Sequence, residues 1–331
     1  MQFSFAILIL VSISLSAQPK FESTNAAPGE FSRMGFLPRG VAMGNAMSAV
    51  NTGSVSAFYN PALPVFQDGN DFQAAYTFLS LDRHLNYLNF SRRFDFYSSK
   101  DTAVVRKPIS SAGISFGIIN SGVSNIEDRN EDGVKTGDLS TSENLFFLSF
   151  ANRFSAKFAL GVTAKLYYYK LYQSMTATGM GLDIGCIYTV QDNLKVSFVI
   201  ADLNAKYKWD SSNLYGTDGS VTSNNFPITK KLGVSYFEKT YGVLIAGEFE
   251  FNNYGRKLLR LGAEYQIYEN LYLRGGFDNF VLNNSDEIIQ PSGGFAFFTK
   301  VGNYTMGVEY GLIAEQYSNG MRHTAGLHFI F

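Results

Sequence analysis

The sequence has little cysteine, little charge and no long apolar run. Cys186 is the only cysteine among 331 residues, which excludes an internal disulfide framework and a multi-cysteine metal site. Charged residues make up 17% of the chain, below the roughly 25% of a typical soluble domain. The 27 basic and 28 acidic residues nearly cancel, and no basic block offers an electrostatic surface to nucleic acid. Beyond the N-terminus no stretch approaches the length of a spanning helix, so none is expected in the mature chain.

Aromatic residues and glycine are what the chain has in quantity. Phe, Tyr and Trp make up 15% of it, a composition that favours strands, and there are 31 glycines. An apolar run over residues 3–15, FSFAILILVSISL, is too short to span a bilayer as a helix. Small residues follow this run, and we predict a signal peptide over 1–17 although Met1 supplies the only positive charge before it. A buried N-terminal helix or strand is the alternative.

Beyond the predicted signal peptide, the composition and residue pattern of the chain change near residue 70. Residues 18–70 are rich in small and turn-forming residues, whereas residues 71–331 alternate period-2 segments with turns, as antiparallel strands do. Most of the segments are near the roughly 9 to 11 residues that a tilted strand needs to cross a bilayer. The fourteen segments are 72–81, 85–94, 109–120, 143–152, 157–172, 177–189, 194–204, 228–237, 241–252, 257–267, 271–279, 291–299, 303–313 and 322–331.

The connections decide between a soluble β-sandwich and a membrane barrel, because side-chain alternation fits both. Tight turns follow the even-numbered segments, whereas the long connections 120–142, 205–227 and 280–290 follow odd-numbered ones. This parity is typical of outer-membrane barrels, which have short periplasmic turns and long extracellular loops. The connection 95–108 is the exception, since it is long on the short-turn side.

Charged side chains inside the strands also fit a barrel. A lysine or arginine on the lipid face near the bilayer centre costs about 2–4 kcal/mol, so charges are expected on the inward face. The charged residues that this scheme places inward are Lys165, Lys195, Arg260, Glu264, Arg274, Asp278 and Glu309. The sequence therefore predicts an all-β fold, a fourteen-stranded antiparallel transmembrane β-barrel over 71–331.

The last eight residues, TAGLHFIF, end the chain on an aromatic side chain. As the closing strand they place Phe329 and Phe331 toward lipid and Thr324 and Gly326 inside. These four residues resemble the C-terminal assembly signal of outer-membrane barrels. We expect the last strand to pair with the first.

Two short motifs lie in the stretch over residues 36–66, FLPRGVAMGNAMSAVNTGSVSAFYNPALPVF. They are a G-x-x-x-G-x-A-x-x-A pattern and a Tyr-Asn-Pro-Ala, at Gly40, Gly44, Ala46, Ala49, Tyr59, Asn60, Pro61 and Ala62. The stretch resembles the segment that opens barrels of the PorV/PorQ family of Bacteroidetes-type bacteria, distant relatives of the FadL long-chain fatty-acid channels. Similarity continues through 125–154, 158–172 and the C-terminal strand, and so covers nearly the whole mature chain.

The resemblance implies a FadL-like barrel whose N-terminal segment, here 18–70, folds into the lumen as a plug. A plain turn before the first strand is the alternative for Asn60 to Ala62, since Asn-Pro favours turns. The resemblance further implies an outer-membrane protein of a Bacteroidetes-like bacterium, exported by its signal peptide, that serves the type IX secretion system. Its partners would be outer-membrane lipid, the secretion machinery and the C-terminal domains of cargo, bound through extracellular loops. The alternatives are a FadL-like passive transporter of hydrophobic small molecules and a purely structural barrel subunit.

A calcium site is the one cofactor for which the sequence gives a motif. Asp128, Asn130 and Asp132, followed by Gly133, match the opening of a calcium loop, but Leu139 stands where the bidentate Glu is needed. A turn at the tip of a loop would account for the same residues without a bound ion. No metal site is firmly predicted.

Catalytic signals are weak. The three histidines are His84, His323 and His328, and no G-x-S-x-G motif is present, so we predict that the chain is not an enzyme. The aromatic clusters Phe146-Phe147 and Tyr167-Tyr168-Tyr169, with Trp209, are interpreted as interface girdles rather than ligand contacts.

Overall fold

A computed structural model describes residues 27–97, 108–172, 175–284, 286–315 and 320–331. The predicted signal peptide and most of the connection 95–108 lie outside these ranges, so both stay predictions. The described strands are β1 (Asn70–Phe78), β2 (Arg83–Phe96), β3 (Ser110–Arg129), β4 (Lys135–Arg153), β5 (Phe158–Tyr172), β6 (Met175–Gln191), β7 (Leu194–Leu203), β8 (Lys206–Asp210), β9 (Val221–Asn225), β10 (Thr229–Glu238), β11 (Val243–Asn252), β12 (Lys257–Tyr268), β13 (Leu271–Val281), β14 (Gln290–Val301), β15 (Tyr304–Ala314) and β16 (Met321–Ile330).

Helices are short in the described part of the chain. They are α1 (Pro38–Ala42), α2 (Ser212–Tyr215) and the 3-10 turns Glu30–Arg33, Leu63–Phe66 and Gly216–Asp218. None of them is long and apolar enough to cross a membrane.

Fourteen of the described strands form one closed antiparallel ring. Strands β1 to β7 pair in chain order, β7 pairs with β10, and β10 to β16 again pair in order. The ring closes where β1 pairs with β16, from Asp71 opposite Ile330 to Phe78 opposite His323. Strands β8 and β9 form a separate hairpin that joins the ring only at the start of β6. The predicted fourteen-stranded antiparallel barrel is therefore confirmed.

Two of the predicted long connections, 120–142 and 205–227, are not loops throughout, because parts of both form hydrogen-bonded strands. Strands β3 and β4 continue past the expected ends, with Glu127 opposite Asp138, and turn at residues 130–134. Residues 205–227 hold the β8–β9 hairpin and α2. The β3–β4 extension is largely exposed and lacks the inside–outside alternation of a wall strand, and the five-residue strands β8 and β9 are too short to give a clear period.

Alternation along each strand sorts side chains between the two faces of the ring. On β12, Leu261 is 57% exposed and Tyr265 is half exposed on the outside, whereas Arg260 and Glu264 are buried inside. All seven charged residues that the sequence placed inward are buried. The outer surface carries large exposed apolar side chains on nearly every strand, which is expected of a barrel in lipid and not of a soluble monomer.

The two ends of the ring differ, and we call the end where Asn70 and Phe331 meet the terminal rim. Tight turns at residues 154–157, 192–193 and 269–270 lie at this rim. The β3–β4 and β8–β9 hairpins extend from the opposite rim. The predicted sorting of short and long connections is thus present in the ring.

The C-terminal strand closes the barrel. The backbone N–H groups of Asn70 and Phe331 each donate to the other residue's carbonyl oxygen, both at 2.9 Å. Thr324 is fully buried inside, Gly326 shares its face, and Phe331 is half exposed on the outside beside Phe329. The strand has the predicted orientation, while its action as an assembly signal stays a prediction.

We expect deletion of Phe331 to impair barrel closure. The deletion removes both terminal backbone hydrogen bonds, a loss of about 1–3 kcal/mol, at the seam where the ring is completed. The measurement is the fraction of outer-membrane protein whose gel migration is heat-modifiable. The control is Phe331→Leu, which keeps the backbone pairs. Equal fractions for the deletion and the control would contradict the seam assignment.

Candidate functional site

The N-terminal segment lies inside the ring, packed against the inward faces of the strands. Residues 35–50 are all buried, and so are residues 59–65. Helix α1 contacts β13 to β16, and the 3-10 turn Leu63–Phe66 contacts β2 to β4. The segment therefore touches two parts of the wall, one on either side of β1. The predicted boundaries of the plug at 18 and 70 stay predictions, because residues 18–26 are outside the described ranges.

The first predicted motif lies where the segment meets β13. Gly44 has a φ of +57°, and a Cβ there would lie 2.5 Å from the carbonyl oxygen of Phe277, so only glycine fits. A Cβ on Gly40 would meet the Tyr59 hydroxyl at 2.0 Å. Ala46 and Ala49 are buried, and the Ala49 carbonyl oxygen accepts a 2.8 Å hydrogen bond from the hydroxyl of Ser235. These small residues allow the segment to approach the wall closely.

The second predicted motif, Tyr59 to Ala62, links two parts of the segment to β6. Asn60 Nδ2 donates to the carbonyl oxygens of Ser48 at 2.8 Å and Cys186 at 3.2 Å, and Asn60 Oδ1 accepts from the backbone N–H of Ala62. Tyr59 donates through its hydroxyl to Asn45 Oδ1 at 3.2 Å. The Asn-Pro turn is present, and it also contacts the wall.

Two glycines of the barrel wall contact the turn at Asn60 and Pro61. A Cβ on Gly161 of β5 would lie 2.1 Å from the Pro61 carbonyl oxygen, and one on Gly185 of β6 would lie 2.2 Å from Asn60 Oδ1. Both glycines face inward, opposite each other across β5 and β6. The wall thus has a flat patch that fits the Asn60–Pro61 backbone.

Ion pairs attach the part of the segment around Arg39 to the barrel wall. The Arg39 guanidinium binds both oxygens of Glu264, at 2.8 Å from Nε and 2.7 Å from Nη2. Arg274 bridges Glu264 and Glu309, with Nε 2.7 Å from Glu264 Oε2. Since both arginines and both carboxylates are buried, removing one partner would leave an uncompensated charge in the lumen.

Two further buried ion-pair groups line the wall. Arg260 contacts Glu248, Glu250 and Asp278, the first and last at 2.9 Å. Lys165 Nζ lies 2.7 Å from Asp183 and 2.9 Å from Asp202, and it stands 4.7 Å from the centre of the Phe58 ring. Lys195, the remaining predicted inward cation, donates to the Asp192 carbonyl oxygen at 2.7 Å. The Arg260 and Lys165 groups fix the interior by charge pairing, whereas Lys195 is held by a backbone carbonyl.

Sequence reasoning missed a contact between His328 and Ser54. Ser54 Oγ lies 2.7 Å from His328 Nδ1, and His328 Nε2 is hydrogen-bonded to Asp71. The residues resemble a Ser-His-Asp chain, but the Ser54 hydroxyl donates to Glu309. His328 Nδ1 is then the donor to Ser54, so the ring cannot act as its base. The four residues connect the segment to β1, β15 and β16. The 274 positions between Ser54 and His328 explain why no local motif predicted them.

The aromatic clusters divide between the two faces, so the girdle interpretation is wrong for part of them. Phe146 and Tyr168 are exposed on the outside, whereas Phe147 and Tyr167 are buried inside. The alternation of neighbouring residues on a strand requires this split. The inward rings near the opposite rim that pack on one another are Tyr167, Tyr169, Tyr207, Trp209 and Phe226.

Two cavities lie beside the segment in the described part of the lumen. One of about 40 Å³ lies between Phe36, Phe58 and the wall, room for little more than a water molecule. A second, of about 710 Å³, extends from the terminal rim at Glu269 and Lys300 to Arg39 and Glu264. Arg39 therefore forms part of the floor of a vestibule at the terminal rim.

The predicted calcium residues lie at the tip of the β3–β4 hairpin. Asn130 Oδ1 accepts hydrogen bonds from the backbone N–H groups of Asp132 and Val134, as in a capped turn. Within the described ranges no group of three or more His, Cys, Asp or Glu is close enough to hold a metal ion. Calcium binding by Asp128, Asn130 and Asp132 stays a prediction.

We expect Gly161→Ala to loosen the N-terminal segment from the wall. The added methyl group would overlap the Pro61 carbonyl oxygen, and overpacking of this kind costs about 1–3 kcal/mol. The control is Gly247→Ala on β11, where the nearest atoms would be 3.6 Å away. The measurement is the rate of proteolytic cleavage within residues 35–65 of the intact barrel. Equal rates in the two variants would contradict the docking of the segment on Gly161.

No family model and no curated protein sequence matches the chain. Among solved structures, the toluene transporter TodX of Pseudomonas putida is 14% identical, with 89% of this chain and 97% of that chain covered and a TM-score of 0.59. The toluene transporter TbuX of Ralstonia pickettii is 13% identical over 89% and 97%, with a TM-score of 0.53. A FadL homologue of Pseudomonas aeruginosa is 11% identical over 89% and 96%, with a TM-score of 0.50.

These structures share a barrel fold with this chain over nearly the full length of both. None of the three is described as an enzyme, and two are described as transporters. The resemblance to PorV and PorQ receives no support from them. At these identities the likeness concerns architecture alone: the chain has the fold of FadL-like outer-membrane barrels.

Proposed function

We propose that the chain is a passive channel for small hydrophobic molecules in the outer membrane of a Gram-negative bacterium. The observation that carries the proposal is the closed fourteen-stranded ring with an apolar outer face, alike in fold to toluene transporters over 89% of its length. An outer membrane excludes hydrophobic molecules by its polar surface, so a protein path is needed. In this proposal the N-terminal segment is the plug that controls the path.

The path would begin at the opposite rim, among the inward aromatic rings. Tyr167, Tyr207 and Phe226 pack there with ring centroids 4.5 to 6.1 Å apart, and the backbone of Gly29 lies against Phe226. These three rings are buried, and the neighbouring Tyr169 and Trp209, which are only partly buried, provide the surface on which a hydrophobic molecule can leave water. The vestibule at the terminal rim would be the exit.

Passage requires the segment to move, because the described lumen is closed at its middle. Ser48 is buried between β7 and β11, with its hydroxyl oxygen 3.0 Å from that of Ser197. Its backbone N–H donates to Glu248 at 3.1 Å. These contacts offer a position at which the segment can be tied to the wall without adding bulk.

We expect a disulfide between positions 48 and 197 to stop transport. The variant Ser48→Cys/Ser197→Cys, made with Cys186→Ser to remove the native thiol, joins the segment to β7 when oxidised. The measurement is uptake of a radiolabelled monoaromatic hydrocarbon by cells that lack other channels for it. Uptake should fall to the level of cells without the barrel and recover on reduction.

The control for this disulfide is Ser197→Cys alone in the same Cys186→Ser background. This single-cysteine variant should transport equally in both redox states. Equal uptake by the oxidised and reduced double-cysteine variant would contradict a plug that must move. Background uptake by the Cys186→Ser parent would reject the channel itself.

A second function, binding of protein partners, is favoured by the hairpins at the opposite rim. Strands β3 and β4 are 20 and 19 residues long, and their tip carries exposed Ile126 and Val134. The β8–β9 connection exposes Leu214 and Tyr215. On the PorV/PorQ resemblance, the proposed partners are type IX secretion machinery and cargo C-terminal domains.

Affinity purification from native membranes separates the two functions. If partners bind the β3–β4 hairpin, replacing residues 126–139 with a two-residue turn should abolish their recovery while leaving heat-modifiable migration unchanged, because the deleted part lies beyond the ring. Recovery of the same partners by the shortened protein would contradict a role for this hairpin. Recovery of lipid without protein partners would favour the channel.

A further inference from the structure

A recess interrupts the outer face of the barrel over the seam between β1 and β16. It has a volume of about 390 Å³ and is lined by apolar and aromatic side chains of β1, β2, β14, β15 and β16. This volume lies within the roughly 300–1,000 Å³ of small-molecule sites. Six of the lining residues are Phe72, Phe90, Tyr304, Met306, Phe329 and Phe331.

Aromatic rings border the recess without filling it. Phe72 and Phe329 are opposite each other across the seam, with ring centroids 6.3 Å apart. The Phe331 ring lies 6.5 Å from both the Phe90 ring and the Tyr304 ring. These separations are near the upper end of the range for paired rings, about 4.5–7 Å. Water would find few polar partners between such rings, whereas a hydrocarbon chain can contact them directly.

The recess opens at the terminal rim. Tyr304 is the first residue of β15, and Phe331 forms its backbone pair with Asn70 at this rim. Met306 lies two residues further along β15 on the same outward face. The recess therefore runs from the rim toward the middle of the strands, the direction that the acyl chain of a membrane lipid follows.

A cation stands at the rim end of the recess. Arg92 pairs with Asn70 at the terminal rim and follows Phe90 by two residues on the same outward face of β2. Its side chain is exposed, and Cζ lies 5.0 Å from the centre of the Phe94 ring. At the end of a strand such a charge reaches the headgroup region, while the apolar neighbours stay in hydrocarbon.

The charge of Arg92 is not matched by the protein. Its neighbour Arg93 contacts Asp68 and Asp95, at 3.4 and 3.1 Å. Within the ranges that the structure covers, no carboxylate pairs with Arg92. The outer face thus combines an apolar recess with an adjacent cation that has no anionic partner there.

We propose that the recess binds one phospholipid, with an acyl chain between the rings and the phosphate on Arg92. A guanidinium can donate two parallel hydrogen bonds to phosphate oxygens, which a headgroup at the rim would supply. The bound lipid would contact strands on both sides of the seam and so stabilise the closed ring. The site is independent of the channel function proposed above.

The test is native mass spectrometry of the full-length barrel, purified in detergent and titrated with dioleoyl phosphatidylethanolamine. Arg92→Met removes the guanidinium, and Met306→Trp fills the recess. Lys230→Met is the control for charge, because Lys230 is exposed near the opposite rim with Nζ 5.5 Å from the Phe251 ring centre. Leu261→Trp is the control for bulk, since Leu261 is exposed on the outer face of β12. Heat-modifiable migration shows that each variant forms the barrel.

We expect the wild type, Lys230→Met and Leu261→Trp to bind one phospholipid with equal affinity. Arg92→Met should bind it about tenfold more weakly, as for a lost charge-assisted hydrogen bond. Met306→Trp should bind it more weakly still, because the acyl chain loses its space. Dioleoylglycerol, which has no phosphate, should not distinguish Arg92→Met from the wild type.

Equal phospholipid binding by all variants, or none by the wild type, overturns the site, because lipids that coat the whole barrel depend on neither residue. Unchanged binding by Arg92→Met overturns the phosphate contact, and so does an equal loss in Lys230→Met. Inorganic phosphate that binds through Arg92 without any lipid rejects the lipid as the source of the phosphate. A dimer without lipid that Met306→Trp abolishes assigns the recess to a second copy of the chain instead.

Thermal stability tests the effect on the seam. Added phospholipid should raise the temperature at which the wild-type barrel loses its folded gel migration, and it should not do so for Met306→Trp, because only a bound lipid stabilises the folded state. An unchanged temperature in the wild type at saturating lipid contradicts stabilisation of the closed ring.

Discussion

The backbone hydrogen bonds between β1 and β16 are the interaction on which the rest of the structure depends. Each strand of the ring has two neighbours only because these two strands meet, from Asp71 to Phe78 on one side. An open sheet would leave two rows of unpaired N–H and C=O groups, which lipid cannot satisfy. Closure also defines an inside and an outside, and alternation then assigns each side chain to one of them.

A ring of fourteen strands encloses more space than its own inward side chains fill, since about eight strands already give a filled interior. The N-terminal segment occupies that space, and two kinds of contact hold it. Glycines such as Gly161 and Gly185 admit backbone on one side. Buried ion pairs, of which Arg39 with Glu264 is the centre, hold the other.

Prediction from the sequence succeeded where a property repeats along the chain. Period-2 alternation located fourteen strands and placed Arg260 and Glu264 inward, because a strand's two faces are decided residue by residue. It failed where neighbours on a strand were read as one group, as with Tyr167 and Tyr168. It also failed for the part of the β3–β4 hairpin beyond Val123, because both faces of these paired strands are mostly exposed and no buried face marks a period.

The amino-acid sequence by itself determined the strand number, the inward charges and the closing strand, because these follow from local periodicity and from the cost of charge in lipid. Which of these charges pair with one another depends on the three-dimensional arrangement of the chain. Ser54 meets His328 across 274 positions, and Arg39 meets Glu264 across 225. Such partners depend on the shear of the ring and the path of the segment inside it. No local pattern encodes either one, so these pairings could not be foreseen.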